Sequence, residues 1–306
     1  MSSLSSYFVK ILARITRIKK ICNLNDEELR KYSSRKYGKQ KSSPNKFIYK
    51  NYNVEEIYID SHLCYVVASK TLVNNKSVIM LHGGAYIIEI GIVNWRAVAK
   101  LIDRLNVKVY VPIYPLAPEF TYRNTIDLME NLYIEILKVV NAKDITIIGD
   151  SAGAQIALSF CQYLKILGLP QPKDIILLSP PLDNNPPQCE VEKMISLQRS
   201  DYLVTSNLFT TALKWWSEGT QRNNYLVSPI YGDFIGLGKV SIFYSTNEIL
   251  SIQINKLKKQ AKMLEFDIDF YEGKGMIHCW PYLPFKEGNI AFNQIVKIIK
   301  GDEGKQ

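Results

Sequence analysis

The strongest constraint on the fold is a regular alternation, from Val54 onward, of short apolar runs with longer stretches of helical spacing. The runs are Val78 to Leu81, Val107 to Ile113, Ile145 to Ile148, Ile175 to Leu178, Val240 to Tyr244 and Ile268 to Tyr271. Val78 to Leu81 and Ile175 to Leu178 are apolar throughout rather than at every second residue, the mark of strands covered on both faces. The helical stretches Trp95 to Leu105, Ile126 to Val140, Ala152 to Leu167, Ile252 to Leu264 and Asn289 to Ile299 supply that cover. The order predicts an α/β chain with a mostly parallel central sheet and helices on both faces. Glu56 to Asp60 and Leu63 to Ala68 read as an antiparallel pair ahead of it. Ligands of such sheets bind beyond the C-terminal ends of the strands. One stretch, Asn184 to Arg222, breaks the alternation and holds Leu203, Phe209, Leu213, Trp215 and Trp216. It is expected to form a helical cap, with the two tryptophans as its core rather than as ligand contacts.

At 306 residues, with 47% hydrophobic and 22% charged, the chain can bury one large core. Cys22, Cys64, Cys161, Cys189 and Cys279 are odd in number, scattered and without a C-x-x-C pair. That argues against a disulfide framework and a zinc site, and for a reducing, cytoplasmic setting. Residues 1–50 carry 13 Lys+Arg against 3 Asp+Glu, so the basic balance sits there; residues 51–306, with 25 against 26, are close to neutral. Within this arm Phe8, Ile11, Leu12, Ile15 and Ile18 share one helical face, with Lys10, Arg14, Arg17 and Lys20 largely elsewhere. The stretch lacks the apolar core and cleavage site of a signal peptide and is too charged to span a bilayer. Two readings stay open: a lid helix over a functional site, or a peripheral membrane contact through residues 1–50. Asn25 to Glu28 has the form of a capped helix start, and Lys31 to Lys46 reads as a solvated, Ser-rich linker. No nucleic-acid module is recognisable, so nucleic acid is not an expected partner.

Gly149-Asp-Ser-Ala-Gly153 stands where the run Ile145 to Ile148 gives way to a helix, and its spacing is that of a nucleophile elbow. So sharp a turn brings backbone close to Ser151, hence glycine two residues to either side. The following helix adds free N–H groups and its dipole where negative charge would develop. Ordinary strand-to-helix turns also show this pattern by chance. After Leu81, the stretch His82-Gly83-Gly84-Ala85-Tyr86 can curl so that successive N–H groups face one point. Gly84 and Ala85, helped by Gly83 and joined by Ala152, are the expected oxyanion donors. His82 is expected to brace the loop by hydrogen bonding.

These two motifs, with Tyr114-Pro-Leu-Ala-Pro-Glu119 between them, resemble the hormone-sensitive-lipase-like branch of the α/β-hydrolases from about Val54 to the C-terminus. The resemblance implies a serine carboxylesterase acting through an acyl-enzyme on Ser151. It also implies a catalytic domain over residues 51–306 with a cap insertion at about 184–222, the arm of residues 1–50 being part of the cap. Pro115 and Pro118 would fix a turn that Glu119 anchors. In this fold the acid and then the histidine follow the serine. His278, closing the glycine-rich stretch from Tyr271, stands where the family carries its base, whereas His62 opens a strand. Asn247 stands where the family commonly has aspartate, and it cannot carry the charge that stabilises an imidazolium. The neighbouring Glu248 is therefore the expected acid, Asp267 and Asp269 being worse placed and Asp150 structural. No metal or organic cofactor is implied. The expected partner is a small-molecule ester of short to medium chain, and the oligomeric state is not legible. A non-catalytic small-molecule binding protein on this fold, and an amidase or deacetylase, remain as alternatives.

Overall fold

The computed structural model describes residues 21, 24–36, 42–72, 74–184, 186–201, 203–218, 220–221 and 223–302. The face formed by Phe8, Ile11, Leu12, Ile15 and Ile18 lies outside the described residues, as does the Phe209 side chain. The strands are β1 (Asn53–Ile59), β2 (His62–Ala68), β3 (Ser77–Leu81), β4 (Lys108–Pro112), β5 (Ile145–Asp150), β6 (Asp174–Leu178), β7 (Lys239–Ser245) and β8 (Ile268–Gly273). The helices are α1 (Asp26–Lys36), α2 (Lys46–Asn51), α3 (Ile92–Leu105), α4 (Tyr122–Leu137), α5 (Ala152–Ile166), α6 (Gln188–Leu197), α7 (Ser206–Ser217), α8 (Ser251–Leu264) and α9 (Lys286–Lys300).

All eight strands join in one sheet in the order β1-β2-β4-β3-β5-β6-β7-β8. Only β2 runs against its neighbours β1 and β4; every other pairing is parallel. Successive side chains of a strand point to opposite faces. Ile79 and Leu81 of β3 accordingly join the core formed with α4, α5 and α8, while Val78 and Met80 join the one formed with α3 and α9. Both sets are fully buried, which is why the run shows no alternation in sequence. The sheet thereby presents the ends of β3, β5, β7 and β8 on one rim, separated by β6 between β5 and β7.

The stretch Lys31 to Lys46 is not a linker throughout, because α1 continues to Lys36. Asn25 Oδ1 accepts from the Glu28 N–H (2.9 Å) and Glu28 Oε2 from the Asn25 N–H (3.0 Å), a reciprocal cap that starts the helix. Lys31 pairs with Glu27 one turn away (2.6 Å), which contributes little at an exposed site. What holds the helix down is Leu29, fully buried, an anchor of about 2 kcal/mol. α7 packs beside it: Asn207 Nδ2 donates to the Leu24 carbonyl (2.7 Å) and the Arg30 guanidinium lies 5.4 Å from the centre of the Trp215 ring. Trp216 is buried and stacks on Tyr86 with ring centres 4.7 Å apart, so it serves packing. Among the described residues no helix is long and apolar enough to cross a membrane.

Candidate active site

β5 ends at Asp150 and α5 begins at Ala152, which leaves Ser151 alone to reverse the chain. It does so at φ 51°, ψ −119°, a strained conformation for a residue with a side chain. Its N–H is held by the Leu178 carbonyl at the end of β6 (2.8 Å). The flanking glycines are needed for space. A Cβ on Gly149 would lie 2.3 Å from the Gly153 carbonyl oxygen, and one on Gly153 only 2.1 Å from that of Leu81. These obstacles are backbone atoms that cannot rotate away. Gly153→Ala is therefore expected to cost at least about 2 kcal/mol of stability by urea denaturation. A change within about 0.5 kcal/mol of wild type would mean that the elbow and β3 separate freely.

The loops after β7 and β8 bring the acid and the histidine together. Ser245 N–H donates to Glu248 Oε1 (2.9 Å), Ser245 Oγ to the Met276 carbonyl (2.7 Å), and Cys279 N–H to Ser179 Oγ (3.1 Å). Glu248 Oε2 then meets His278 Nδ1 at 2.7 Å, with both side chains buried. Asn247 is half-buried, and its N–H donates to Ser245 Oγ (3.0 Å). A carboxylate only accepts, so Nδ1 carries the proton and the Nε2 lone pair is left available. Nε2 is buried with no hydrogen-bond partner among the described residues, and His278 and Ser151 line the same cavity. Burial pushes His278 down, but Cys279 and then Glu248 act against it and hold it well above its ordinary value. Burial also pushes the Cys279 thiol up to about 11. It is uncharged near neutral pH, and Glu248 is the partner that matters. His62 lies at the start of β2, its ring against Phe120.

The loop after β3 runs through left-handed backbone at Gly84 (φ 132°), Ala85 (φ 51°) and Tyr86 (φ 62°). Gly84, Ala85 and Ala152 all line the cavity beside Ser151. Gly83 lines it too, and the Asp150 carboxylate lies close against it, since a Cβ there would come within 2.4 Å of Asp150 Oδ2. Asp150 also accepts from Asn94 Nδ2 (2.7 Å), and burial pushes it up to about 7. His82 is fully buried, with Nδ1 2.7 Å from the Gly83 carbonyl oxygen, and burial lowers it to about 4, so it is a neutral brace. The ring stacks on Tyr114 at 4.3 Å, and Tyr114 OH donates to the His82 carbonyl (2.7 Å). Ala117 N–H donates to the Tyr86 carbonyl (2.8 Å), so the Tyr114–Glu119 turn supports this loop through Tyr114 and Ala117, while Glu119 is exposed.

The cavity has a volume of about 360 Å³ and is walled mainly by apolar groups, among them Ile88, Leu203, Leu208, Leu213 and Leu250. Leu203, Leu208 and Leu213 come from the segment between β6 and β7. Glu89, which sequence reasoning passed over, also lines it, and burial pushes its carboxyl up to about 7. No sequence signal beyond its place after the glycine loop marks that residue. Among the described residues no group of three or more His, Cys, Asp or Glu could hold a metal ion.

Comparison with known proteins agrees with this architecture. The profile of the family described as alpha/beta hydrolase fold matches residues 78–282. A triacylglycerol lipase of Mycobacterium tuberculosis is 28% identical over 204 residues, 66% of this chain and 41% of that protein. An esterase of Acinetobacter venetianus is 29% identical over 198 residues, 64% of each. The chain thus spans less than two thirds of either relative. Among solved structures, a hormone-sensitive lipase from a metagenome library superposes with a TM-score of 0.79 at 21% identity, covering 98% of this chain and 99% of that one. An esterase/lipase from an uncultured bacterium gives 0.80 at 20%, again covering 98% and 99%. At these identities the structural likeness speaks for the fold alone.

Proposed function

Because this chain belongs to the α/β-hydrolase fold family, we propose that it is a serine carboxylesterase that cleaves short- to medium-chain esters through an acyl-enzyme on Ser151. The observation that carries this reading is the 2.7 Å contact between Glu248 and His278 in the wall of the cavity that Ser151 lines. His278 Nε2 takes the Ser151 Oγ proton as Oγ bonds to the ester carbonyl carbon. The carbonyl oxygen, now negative, is held by the N–H groups of Gly84, Ala85 and Ala152. Ala152 is the first residue of α5, whose N–H has no acceptor within the helix. The carbon–oxygen bond to the alcohol then breaks, His278 returns the proton to the leaving oxygen, and a water repeats the steps to release the acid. Glu248 holds the ring in the correct tautomer and stabilises the imidazolium in between.

The cavity volume of about 360 Å³ lies at the small end of ligand sites, which suits a short or medium acyl chain. The segment at about 184–222, with the arm, acts as the cap that closes over it. The names of the relatives, lipase and esterase, favour ester over amide bonds.

The test is p-nitrophenyl butyrate hydrolysis together with fluorophosphonate labelling. Turnover with one adduct on Ser151 is expected; silence on all esters with no label taken up rejects the reading in favour of a binding protein. Good activity on long-chain emulsions without short-chain cleavage would overturn the chain-length part. A pH profile adds a sign. His278 acts only when neutral, and it is held above its ordinary value. The acid limb of kcat/KM should therefore have its midpoint above about 6.5, activity rising with pH through it. A midpoint at or below that value would mean that the Glu248 charge does not reach the ring.

A further inference from the structure

A second carboxylate stands close to this site, in a part of the chain that the proposed reaction does not use. Asp201 lies between α6 and α7 and is buried. Its Oδ1 accepts the N–H groups of Leu203 and Val204, both at 2.9 Å, and both residues line the cavity. Its Oδ2 accepts the N–H of Ile249 (3.0 Å), the residue after Glu248 and before the cavity-lining Leu250. Alongside, Ser200 Oγ donates to the Asn247 carbonyl (3.3 Å), so the loop is gripped on both sides of Glu248. Backbone donors of this kind compensate a buried carboxylate for the water it has lost.

We propose that Asp201 is a positioning residue: its carboxylate ties the Glu248 loop to the Leu203–Val204 wall of the cavity, so that the substrate-binding surface and the acid are set by one group. The inference rests on the roles proposed above for Glu248 and His278. Charge supports the geometry. Among the described residues the charges that act on His278 are those of Cys279, Glu248, Asp150 and Asp201. Burial pushes Asp201 up, while His278 and the Val204, Ile249 and Leu203 amides pull it down. When ionised, Asp201 acts on the imidazolium in the same sense as Glu248.

The experiment compares wild type, Asp201→Asn and Asp201→Glu in two ways: kcat and KM on p-nitrophenyl butyrate, and the NMR titration midpoint of His278, its signal assigned through His278→Gln. Asp201→Asn keeps the shape and removes the charge. It should lower kcat about tenfold to a hundredfold, change KM less, and move the His278 midpoint down. Asp201→Glu keeps the charge but displaces it by one methylene, so kcat should fall while the midpoint stays near wild type. A role confined to the scaffold would lower Tm without moving the midpoint. A folded Asp201→Asn with the wild-type midpoint, or a folded Asp201→Glu with the wild-type kcat, overturns the proposal. If wild type cleaves no ester, the esterase reading fails by itself, and the Asp201→Asn midpoint still decides the present one.

Discussion

Ser151→Ala is expected to lower p-nitrophenyl butyrate hydrolysis by about ten-thousandfold or more while the protein stays folded. The loss follows from covalent chemistry: without Oγ there is no bond to the acyl carbon, and only binding and the amide donors remain to assist water. The fold should survive because the strain at φ 51° belongs to the backbone and is met by alanine as well as by serine. The Leu178 carbonyl that holds the Ser151 N–H is likewise untouched. Steady-state assays with circular dichroism check both halves. A variant that keeps more than about a tenth of wild-type activity would mean that another group is the nucleophile.

Glu248→Gln is the second large effect, with kcat expected to fall about ten-thousandfold. The amide fits the same space, yet it brings a donor to Nδ1, which favours the wrong tautomer and withdraws the charge that stabilises the imidazolium. The same change should carry the acid limb of the pH profile downward, since Glu248, along with Cys279, raises His278. Asn247→Ala is the control, because Glu248 is the carboxylate that meets His278 Nδ1 while Asn247 bonds Ser245 Oγ through its backbone. Equal losses in the two variants would show that the loop as a whole matters and Glu248 has no special place. Both sets of rates come from one assay series.

How far the chain could be read from its residues depends on whether the decisive contact is local. The elbow was legible because Gly149 answers to a close approach of Gly153 within five residues, and the strand runs were legible because burial on both faces leaves few polar positions. Glu248 could be named only as a neighbour of Asn247; that its side chain reaches His278 depends on how the loops after β7 and β8 lean together. A glycine loop announces that N–H groups will be presented, but not that Asp150, distant in sequence, packs against Gly83. The supposed linker after Lys31 failed differently: its charges concealed Ser33, which is buried and donates through Oγ to the Ala117 carbonyl. The link from Asp201 to Ile249 carried no signal, since it is set by the meeting of two loops.

The strand order has a consequence for biosynthesis. Ser151 closes β5 near the centre of the sheet, whereas His278 follows β8, which is both the sheet's edge and its last strand in the chain. During N-terminal-first synthesis the hydroxyl, its amide donors and much of the cavity wall therefore emerge well before the base does. On the mechanism proposed above, a nascent chain stalled anywhere between them is chemically inert toward cellular acyl donors, because its serine stays a plain alcohol until β8 docks on β7. On that mechanism, hydrolysis waits on the docking of β8 against β7.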